Sequence, residues 1–346
     1  MQYIDLRSDT VTQPTPAMRE AMSRAEVGDD VYGEDPTINR LQEMAAERMG
    51  KEAGLFVASG TMGNLIGVLS HCQRGDEAIV GKKNHIFVHE AGGISALGGV
   101  HSCQLSNQAD GSLRLEDVAA AIRPEDVHEP VTRLLCLENT HNGCGGVYQT
   151  PEYMRRAAEL AHTRGLSVHL DGARIFNAAV AQGVKAIELA GPADSATFCL
   201  SKGLCAPVGS VLCGTKPFIA KARRLRKMLG GGMRQAGILA AAGIVALESM
   251  VDRLQEDHAR AKKLADGLRL VHGLVLADMP ATNMVFLSLT ADAKFTTEAF
   301  IKKLGEYGVL IGATGERQYR LVTHYWIDDA GVEGAIEAFR TVLGKS

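Results

Sequence analysis

The feature that most constrains the fold is the alternation of short apolar runs with longer amphipathic segments through the first two thirds of the chain. Apolar runs bounded by Gly, Pro, Asp or Asn predict buried strands, and the segments between them are long enough for helical crossovers. We therefore predict an α/β fold with a mostly parallel sheet flanked by helices. The predicted strands are 55–57, 78–80, 101–105, 133–137, 167–170, 195–199 and 208–213, and the predicted helices between them are 62–71, 90–97, 115–122, 151–164 and 173–181.

The pattern changes at both ends of this alternating region. Before it, helices are predicted at 17–25 and from Asp35-Pro36, a capping residue followed by proline, to about Gly50. After it, one long or broken helix at 234–270 leads to strands predicted at 284–289, 309–311 and 320–323 and helices at 296–307 and 329–343. We predict an N-terminal arm (1–30), a large domain (31–248) and a smaller C-terminal α+β domain (249–346).

Composition argues against several classes of protein. A formal charge of -3 gives no global attraction to nucleic acid or to anionic membranes. The segment 1–10 is charged, unlike a signal peptide, and the longest apolar run, 237–247, is too short to cross a bilayer. The seven cysteines form no CxxC pair, which argues against a disulfide framework or a structural zinc site. We expect a cytoplasmic protein with reduced cysteines, no metal, and no nucleic-acid or membrane partner.

The first candidate binding feature is Ser59-Gly60-Thr61, which follows a predicted strand and opens a predicted helix. Backbone amides and hydroxyl groups that meet at a helix N-terminus bind phosphate well. A simple helix cap explains the same three residues equally well. The turn by itself does not decide between these interpretations.

Two further features lie at the ends of predicted strands. Asp171 follows strand 167–170, where open α/β sheets bind ligands and where an acid can keep a heteroaromatic nitrogen protonated. Its alternative role is a helix N-cap with Arg174 as a surface partner. Lys202 directly follows another apolar strand and fits an amine that attacks a carbonyl, although most lysines are solvated surface charges.

The order of a phosphate turn, an acid and a strand-end lysine along the chain is typical of enzymes that bind pyridoxal 5'-phosphate (PLP). We therefore predict that Lys202 binds this cofactor covalently and that Asp171 faces its pyridine nitrogen. Six stretches then extend the comparison to nearly the whole chain. They are YIDLRSDTVT (3–12), GDDVYGEDP (28–36), LENTHN (137–142), LDGAR (170–174), LSKGL (200–204) and RLVTH (320–324). Together they closely resemble the L-threonine aldolase family.

This resemblance implies a fold-type I PLP enzyme that splits L-threonine, L-allo-threonine and related β-hydroxy-α-amino acids into glycine and an aldehyde. It implies the same roles for Lys202 and Asp171, and it places Arg174 beside the phenolic oxygen of the cofactor and the substrate. Arg320 corresponds to the arginine that binds the substrate carboxylate, with Ser8 as a second contact; a planar guanidinium suits that bidentate role. The residues implied near the phosphate are Ser59, Gly60, Thr61 and Ser201.

Two histidines are also implied in the site. His85 corresponds to a histidine that stacks on the cofactor ring, and His128 to one that approaches the substrate hydroxyl. Imidazole titrates in the range useful for moving the hydroxyl proton. Whether His85, His128 or a water molecule takes that proton stays open, because a lone histidine is more often structural.

The basic stretch at 216–227 could by itself indicate a nucleic-acid surface, but its helical spacing and lack of interleaved aromatics favour a solvated helix face. The resemblance implies that Lys227 and Arg234 reach the cofactor phosphate of a neighbouring subunit. We therefore expect a homo-oligomer, a dimer of dimers, with shared active sites.

The chain departs from the family pattern at two cysteines. Cys205 stands where the family usually has glycine after Lys-Gly-Leu, and Cys144 lies in the loop after His141-Asn142. They are either tolerated packing changes or thiols that make the activity sensitive to oxidation or alkylation.

Three rival functions stay open at this point. One is another fold-type I PLP enzyme, such as a serine hydroxymethyltransferase-like enzyme, a β-eliminating lyase or an aminotransferase, and another is a non-catalytic PLP-binding protein. The third, a nucleotide-binding domain, is disfavoured because the chain lacks GxGxxG and GxxxxGK[ST] after an early strand.

Overall fold

The computed structural model describes residues 3–344. Two compact units make up the chain: residues 14–251, and the N-terminal segment up to Gln13 together with the chain from Asp252 onward. The boundaries predicted at 30/31 and 248/249 differ from this division and stay a proposal for the domain organisation. Among the described residues, no helix combines the length and apolar character needed to span a membrane.

The strands of the described chain include every strand predicted from the sequence, with ends that differ by at most three residues. In chain order they are β1 Ile4–Asp5, β2 Ala53–Val57, β3 Glu77–Gly81, β4 His101–Leu105, β5 Thr132–Glu138, β6 Ser167–Asp171, β7 Ser195–Cys199, β8 Ser210–Gly214, β9 Leu274–Leu276, β10 Met284–Leu289, β11 Val309–Leu310, β12 Gly312–Gly315 and β13 Gln318–Val322.

The helices agree less uniformly with the predictions. They are α1 Pro16–Ser23, α2 Pro36–Met49, α3 Gly60–His71, α4 His85–Val88, α5 Gly93–Ala96, α6 Leu115–Ala121, α7 Pro151–Thr163, α8 Ile175–Gln182, α9 Ala186–Ala190, α10 Lys216–Met228, α11 Gly237–Ser249, α12 Leu254–Arg269, α13 Thr297–Glu306 and α14 Asp329–Leu343. The helix predicted at 90–97 is wrong in its extent, because two single turns, α4 and α5, lie on either side of a bend at Glu90.

Local chemistry explains where a predicted helix begins and ends. Asp35 caps α2 by accepting a hydrogen bond from the backbone N–H of Ile38 at 3.0 Å, and Pro36 occupies its first turn. The helix ends at Gly50, whose φ of 65° is readily adopted only by glycine. These features are the ones used to predict the helix, and the prediction is confirmed.

The larger unit is built around a seven-stranded sheet with the order β2-β8-β7-β6-β5-β3-β4. Every pair in it is parallel except the two that involve β8, which is antiparallel to both of its neighbours. The predicted fold class, a mostly parallel sheet flanked by helices, is confirmed. Because the parallel strands share one direction, their carboxyl ends lie along one edge of the sheet.

Helix α3 packs closely on the strands that end at this edge. A Cβ atom on Gly63 would lie 2.6 Å from Cγ2 of Thr197 in β7, and one on Gly67 would lie 2.5 Å from the ring of His169 in β6. Only glycine allows this approach. The two glycines therefore fix how near the start of α3 lies to the ends of β6 and β7.

The smaller unit contains a four-stranded antiparallel sheet, β12-β13-β10-β9, and the short parallel pair β1-β11. Its core includes Phe300, Tyr319 and Phe339, three fully buried rings that contact one another through Phe300. Leu6 joins this core from the N-terminal segment. The unit thus has its own hydrophobic interior, as an α+β domain requires.

Candidate active site

Two adjacent strands place the predicted cofactor residues at the same edge of the sheet. Asp171 is the last residue of β6, and Lys202 follows the end of β7 at Cys199 by three residues. The two strands are parallel neighbours in which Asp171 pairs with Thr197. The charge of Asp171 raises the pKa of His85 and the charge of Lys202 lowers it, as expected for side chains that lie at one edge of the sheet.

The turn Ser59-Gly60-Thr61 lies at the same edge, at the start of α3. Ser59 caps the helix by accepting a hydrogen bond from the backbone N–H of Met62 at 3.1 Å, so the helix-cap interpretation is confirmed. The cap does not exclude anion binding, because the first N–H groups of a helix have no partner within it. A Cβ on Gly60 would lie 2.9 Å from Sγ of Cys199, so glycine lets this turn approach the end of β7.

Asp171 is buried and held at both carboxylate oxygens. Oδ1 accepts from the backbone N–H of Ala173 at 3.1 Å, and Oδ2 accepts from Nδ2 of Asn64 in α3 at 2.9 Å. The next helix, α8, begins at Ile175 with Arg174 at its N-cap position. Asp171 is therefore not the cap of α8, and Arg174 is a buried side chain, not a surface partner.

A chain of buried hydrogen bonds fixes the orientation of Asn64. Its Nδ2 donates to Asp171 and, at 2.8 Å, to Oε1 of Glu90, so its Oδ1 faces Nε2 of His169 at 3.2 Å. The reverse orientation would set the amide oxygen against two carboxyl groups. His169 therefore donates from Nε2 and accepts at Nδ1 from the hydroxyl of Ser195, at 2.8 Å.

The same chain continues to His71, whose Nε2 lies 2.8 Å from Oγ of Ser195. Burial lowers the pKa of His169 to about 3 and that of His71 to about 4. Both rings are therefore neutral at pH 7, as the alternation of donors and acceptors requires. The result is a continuous hydrogen-bonded support that runs from the end of α3 to the carboxylate of Asp171.

The ring of His85 contacts a second buried acid, Glu90. Its Nδ1 lies 2.8 Å from Oε1 of Glu90, the same oxygen that accepts from Asn64. The hydrogen bond to Glu90 raises the pKa of His85, and burial raises the pKa of Glu90. Neither Asn64 nor Glu90 was predicted as a site residue, because one resembles an ordinary buried helix position and the other an ordinary acid in the first turn of a predicted helix.

Glu138 ends β5 directly beside Asp171, with which it pairs in register. Its two oxygens accept from the backbone N–H groups of His85, at 2.6 Å, and Asn142, at 2.9 Å. Burial, together with the charge of Asp171, raises the pKa of Glu138 to about 8. Glu138 thus anchors the backbone at His85, although the sequence singled it out only as part of a motif.

His85, Glu90 and Asp171 also form the one group of metal-type donors found among residues 3–344, with donor atoms within 4.8 Å of one another. Two of those atoms, Oε1 of Glu90 and Oδ2 of Asp171, accept the hydrogen bonds from Asn64. We therefore interpret the group as a hydrogen-bonded cluster. The prediction that the protein uses no metal stays a prediction.

The two residues expected to bind the substrate carboxylate, Ser8 and Arg320, lie in the smaller unit. Nη2 of Arg320 lies 3.4 Å from the backbone oxygen of Arg7, and Leu6 and Val322 are joined by a backbone hydrogen bond of 2.9 Å. The N-terminal segment therefore runs beside β13, and Ser8 and Arg320 lie near each other.

Within one folded chain, His128 lies far from His85 in space. It is 87% exposed and pairs with Asp126 at 2.8 Å, in the segment that leads into the first residue of β5. Glu138, at the other end of β5, lies at the edge that carries Asp171. A strand of seven residues spans about 20 Å, so His128 is at the opposite edge of the sheet.

The two residues predicted to serve a neighbouring subunit are exposed. Nη1 of Arg234 pairs with Oδ2 of Asp29 at 2.7 Å, while Lys227 lies near the end of α10. Both lie at or beside the glycine-rich segment 230–232, which separates α10 from α11. The structure thus presents both cations on the surface of the larger unit.

The two unusual cysteines differ in access. Cys205 is fully buried, and its backbone N–H donates to the carbonyl of Lys202 at 2.9 Å. Cys144 is half-buried, and burial raises the pKa of its thiol. A thiolate is the reactive form, so neither site favours rapid alkylation. Sensitivity to thiol reagents stays a prediction.

The residues at this edge fit PLP. The N-terminus of α3 suits the phosphate group. The carboxylate of Asp171, held at both oxygens, suits the pyridine nitrogen, and the half-buried Lys202 suits the aldehyde. A mostly parallel sheet with a lysine and an acid after neighbouring strands defines the class of fold-type I PLP-dependent enzymes.

Comparison with known proteins gives the family within that class. A family model described as beta-eliminating lyase matches residues 5–292. The chain is 50% identical to the probable low-specificity L-threonine aldolase 2 of Arabidopsis thaliana, over 99% of this chain and 98% of that protein. It is 51% identical to the low specificity L-threonine aldolase of Escherichia coli K12, over 93% of each.

The solved structure of Leishmania major threonine aldolase has the same fold, with a TM-score of 0.82 over 98% of this chain and 99% of that chain, at 21% identity. The chain belongs to the beta-eliminating lyase family and, within it, to the L-threonine aldolases, which are PLP-dependent lyases.

Proposed function

We propose that the protein cleaves L-threonine, L-allo-threonine and related β-hydroxy-α-amino acids to glycine and an aldehyde. The observation that carries this proposal is the placement of Lys202, Asp171 and the His85–Glu90 pair at one edge of the sheet, because it combines a cofactor site with an imidazole acid–base group. When bound, PLP supplies a protonated ring that draws electrons away from the bond between Cα and Cβ of the amino acid.

Each side chain at the edge has one proposed task. Lys202 would hold the cofactor through its side-chain amino group. Asp171, held by Asn64 and Ala173, would face the pyridine nitrogen. The N–H groups of Gly60 and Thr61 and the hydroxyls of Ser59 and Ser201 would bind the phosphate, and Arg174 would lie beside the phenolic oxygen.

The substrate is held at two points. Arg320 binds its carboxylate in a bidentate manner with Ser8 as a second donor, which turns the Cα–Cβ bond into the orientation that cleavage requires. His85 accepts the proton of the β-hydroxyl group as the bond breaks. Its Nδ1 faces Glu90, so Nε2 is the ring nitrogen left for this task.

The active site is proposed to be shared in a homo-oligomer, a dimer of dimers. Lys227 and Arg234 would reach the cofactor phosphate of a neighbouring copy, and large apolar side chains are exposed on the same unit, including Tyr32 at 75% and Met228 at 71%. Such exposed apolar side chains are candidates for burial between copies. His128, which lies at the far edge of its own sheet, would likewise act on the substrate of another copy.

A cytoplasmic location is part of the proposal. Its support is the set of seven cysteines, which form no disulfide in the structure, since disulfides are rare in reducing compartments. The reaction would there degrade threonine and form glycine.

The test is product analysis with a lysine variant and a matched control. Wild type should show a visible cofactor band and release glycine and acetaldehyde from either threonine diastereomer without folate. Lys202→Ala should lose the band and at least about a thousandfold in kcat, since the covalent group is removed. Lys302→Ala, at an exposed position of α13, should keep both. A keto acid with ammonia as product, or full activity in Lys202→Ala, would contradict the proposal.

A further inference from the structure

Glu90 is a buried acid beside His85 that takes no direct part in the proposed reaction. It lies in the bend between α4 and α5, with one carboxylate oxygen in two hydrogen bonds. Oε1 is 2.8 Å from Nδ2 of Asn64 and 2.8 Å from Nδ1 of His85. Among the described residues, Oε2 is a buried oxygen without a hydrogen-bond partner. Burial of a carboxyl oxygen without a hydrogen-bond partner costs free energy, so the position of Glu90 needs an explanation.

The direction of these hydrogen bonds follows from Asn64. Because Oδ1 of Asn64 accepts from His169, both N–H groups of its Nδ2 are directed to carboxyl groups, one on Asp171 and one on Glu90. Oε1 of Glu90 is therefore an acceptor. The donor in its second bond is then Nδ1–H of His85, which leaves the lone pair of His85 on Nε2.

We propose that Glu90 is a positioning residue that holds His85 by its Nδ1–H, so that Nε2 is the nitrogen that takes the hydroxyl proton. Asn64 connects this pair to the cofactor acid Asp171, because one amide group donates to both carboxyl groups. Glu90 acts only through His85. The inference rests on the proposed function, in which His85 is the proton acceptor.

The electrostatic effect on His85 has a definite sign. The hydrogen bond to Glu90 is the largest influence and raises its pKa, whereas burial and the charge of Lys202 lower it. Removal of the Glu90 charge should therefore lower the pKa of His85. The titratable groups that face His85 are Glu90, His89, Glu138, Asp171 and Lys202.

The test uses two variants of Glu90 and one of a neighbouring acid. Glu90→Gln keeps the shape and removes the charge, while Glu90→Leu removes the acceptor as well. Glu138→Gln is the matched control, because Glu138 is an equally buried acid that binds the backbone N–H of His85 and not its ring. Glu90→Gln alone suffices if the leucine variant does not fold.

The measurement is the rate at which diethyl pyrocarbonate acylates His85 in the purified, cofactor-loaded protein, followed by mass spectrometry across pH. The reagent attacks unprotonated imidazole, so the midpoint of the rate reports the pKa of His85. In both Glu90 variants the midpoint should fall by about one unit or more, because an adjacent anion is lost. The acid limb of kcat/KM should shift in the same direction.

An unchanged midpoint in Glu90→Gln, or an equal shift in Glu138→Gln, would overturn the inference, because the ring contact would then have no specific effect. His85→Asn separates this result from the proposed function. Full activity in His85→Asn would remove His85 as the proton acceptor and with it the assignment of Glu90 to catalysis, whereas the labelling midpoint still decides whether Glu90 controls the ring.

Discussion

Cys205 has a backbone conformation that ordinarily belongs to glycine. Its φ is 65°, its side chain is fully buried, and its N–H donates to the carbonyl of Lys202. A residue with a Cβ atom in this left-handed region is strained by about 1 kcal/mol or more. The strain lies in the turn that follows Lys202, the proposed cofactor lysine, at the position where the family usually has glycine.

Replacement of Cys205 by alanine and by glycine separates the strain from the packing. Both changes remove the buried sulfur, but only glycine relieves the left-handed conformation. We therefore expect Cys205→Gly to be more stable than Cys205→Ala by about 1 kcal/mol. At most positions the order is the reverse, since glycine loses more chain entropy on folding. Thermal unfolding of the two variants side by side measures the difference, and a less stable glycine variant would show that the turn is not strained.

Sequence patterns predict a site residue well when its position follows from a strand end. Asp171 and Lys202 follow apolar strands, and parallel strands bring their ends to one edge, so both were placed from pattern alone. Asn64 and Glu90 could not be found in this way, because their role depends on side-chain contacts across 26 residues of sequence. A polar residue within the apolar helix α3 was the one signal present.

At the scale of elements, α3 connects the proposed phosphate turn to the side chains that support Asp171, the proposed cofactor acid. Its first turn carries Gly60 and Thr61, its second carries Asn64, and Gly67 lies against the ring of His169. A Cβ on Gly67 would come within 2.5 to 3.0 Å of three atoms of that ring. The contact leaves the helix no room to shift relative to β6.

Gly67→Ala should therefore weaken both stability and cofactor binding. Alanine favours a helix over glycine by about 1 kcal/mol, but the added methyl group must displace His169 and disturb its bonds to Asn64 and Ser195. Gly305→Ala in α13 is the matched control, because the nearest contact of its Cβ would be Cδ2 of Leu310 at 3.9 Å. We expect Gly305→Ala to raise or keep the melting temperature and Gly67→Ala to lower it by several degrees, with a higher Kd for PLP. Equal effects in both variants would contradict the close packing.

The elements that sequence predicted least well are those around the site. Strands such as β7 and β10 match their predicted bounds, because alternating or buried apolar runs bounded by turns are strong signals. One helix is predicted at 90–97, yet only the single turn α5 forms within it, since Glu90 is turned inward to contact Asn64 and His85. A tertiary contact there overrides local helix preference.

At the scale of the whole molecule, the open question is which chain supplies each part of a site. Lys202 and Arg234 are both in the larger unit, yet Arg234 is exposed and held by Asp29 of its own chain. If Arg234 serves the phosphate of a neighbouring copy, each site needs Lys202 from one chain and Arg234 from another. A two-fold symmetric dimer then contains two such shared sites.

Mixing two defective variants tests this arrangement directly. In a dimer of Lys202→Ala with Arg234→Ala, one site combines the intact Lys202 of one chain with the intact Arg234 of the other, and the second site carries both defects. After unfolding and refolding of an equal mixture, half of the dimers are mixed, so about one quarter of the sites should be intact. Activity should rise above that of either variant alone toward this fraction of wild type. If Arg234 instead serves its own chain, no mixed dimer contains an intact site, because each chain lacks one of the two groups. Activity would then stay at the mean of the two variants, and the shared site would be ruled out.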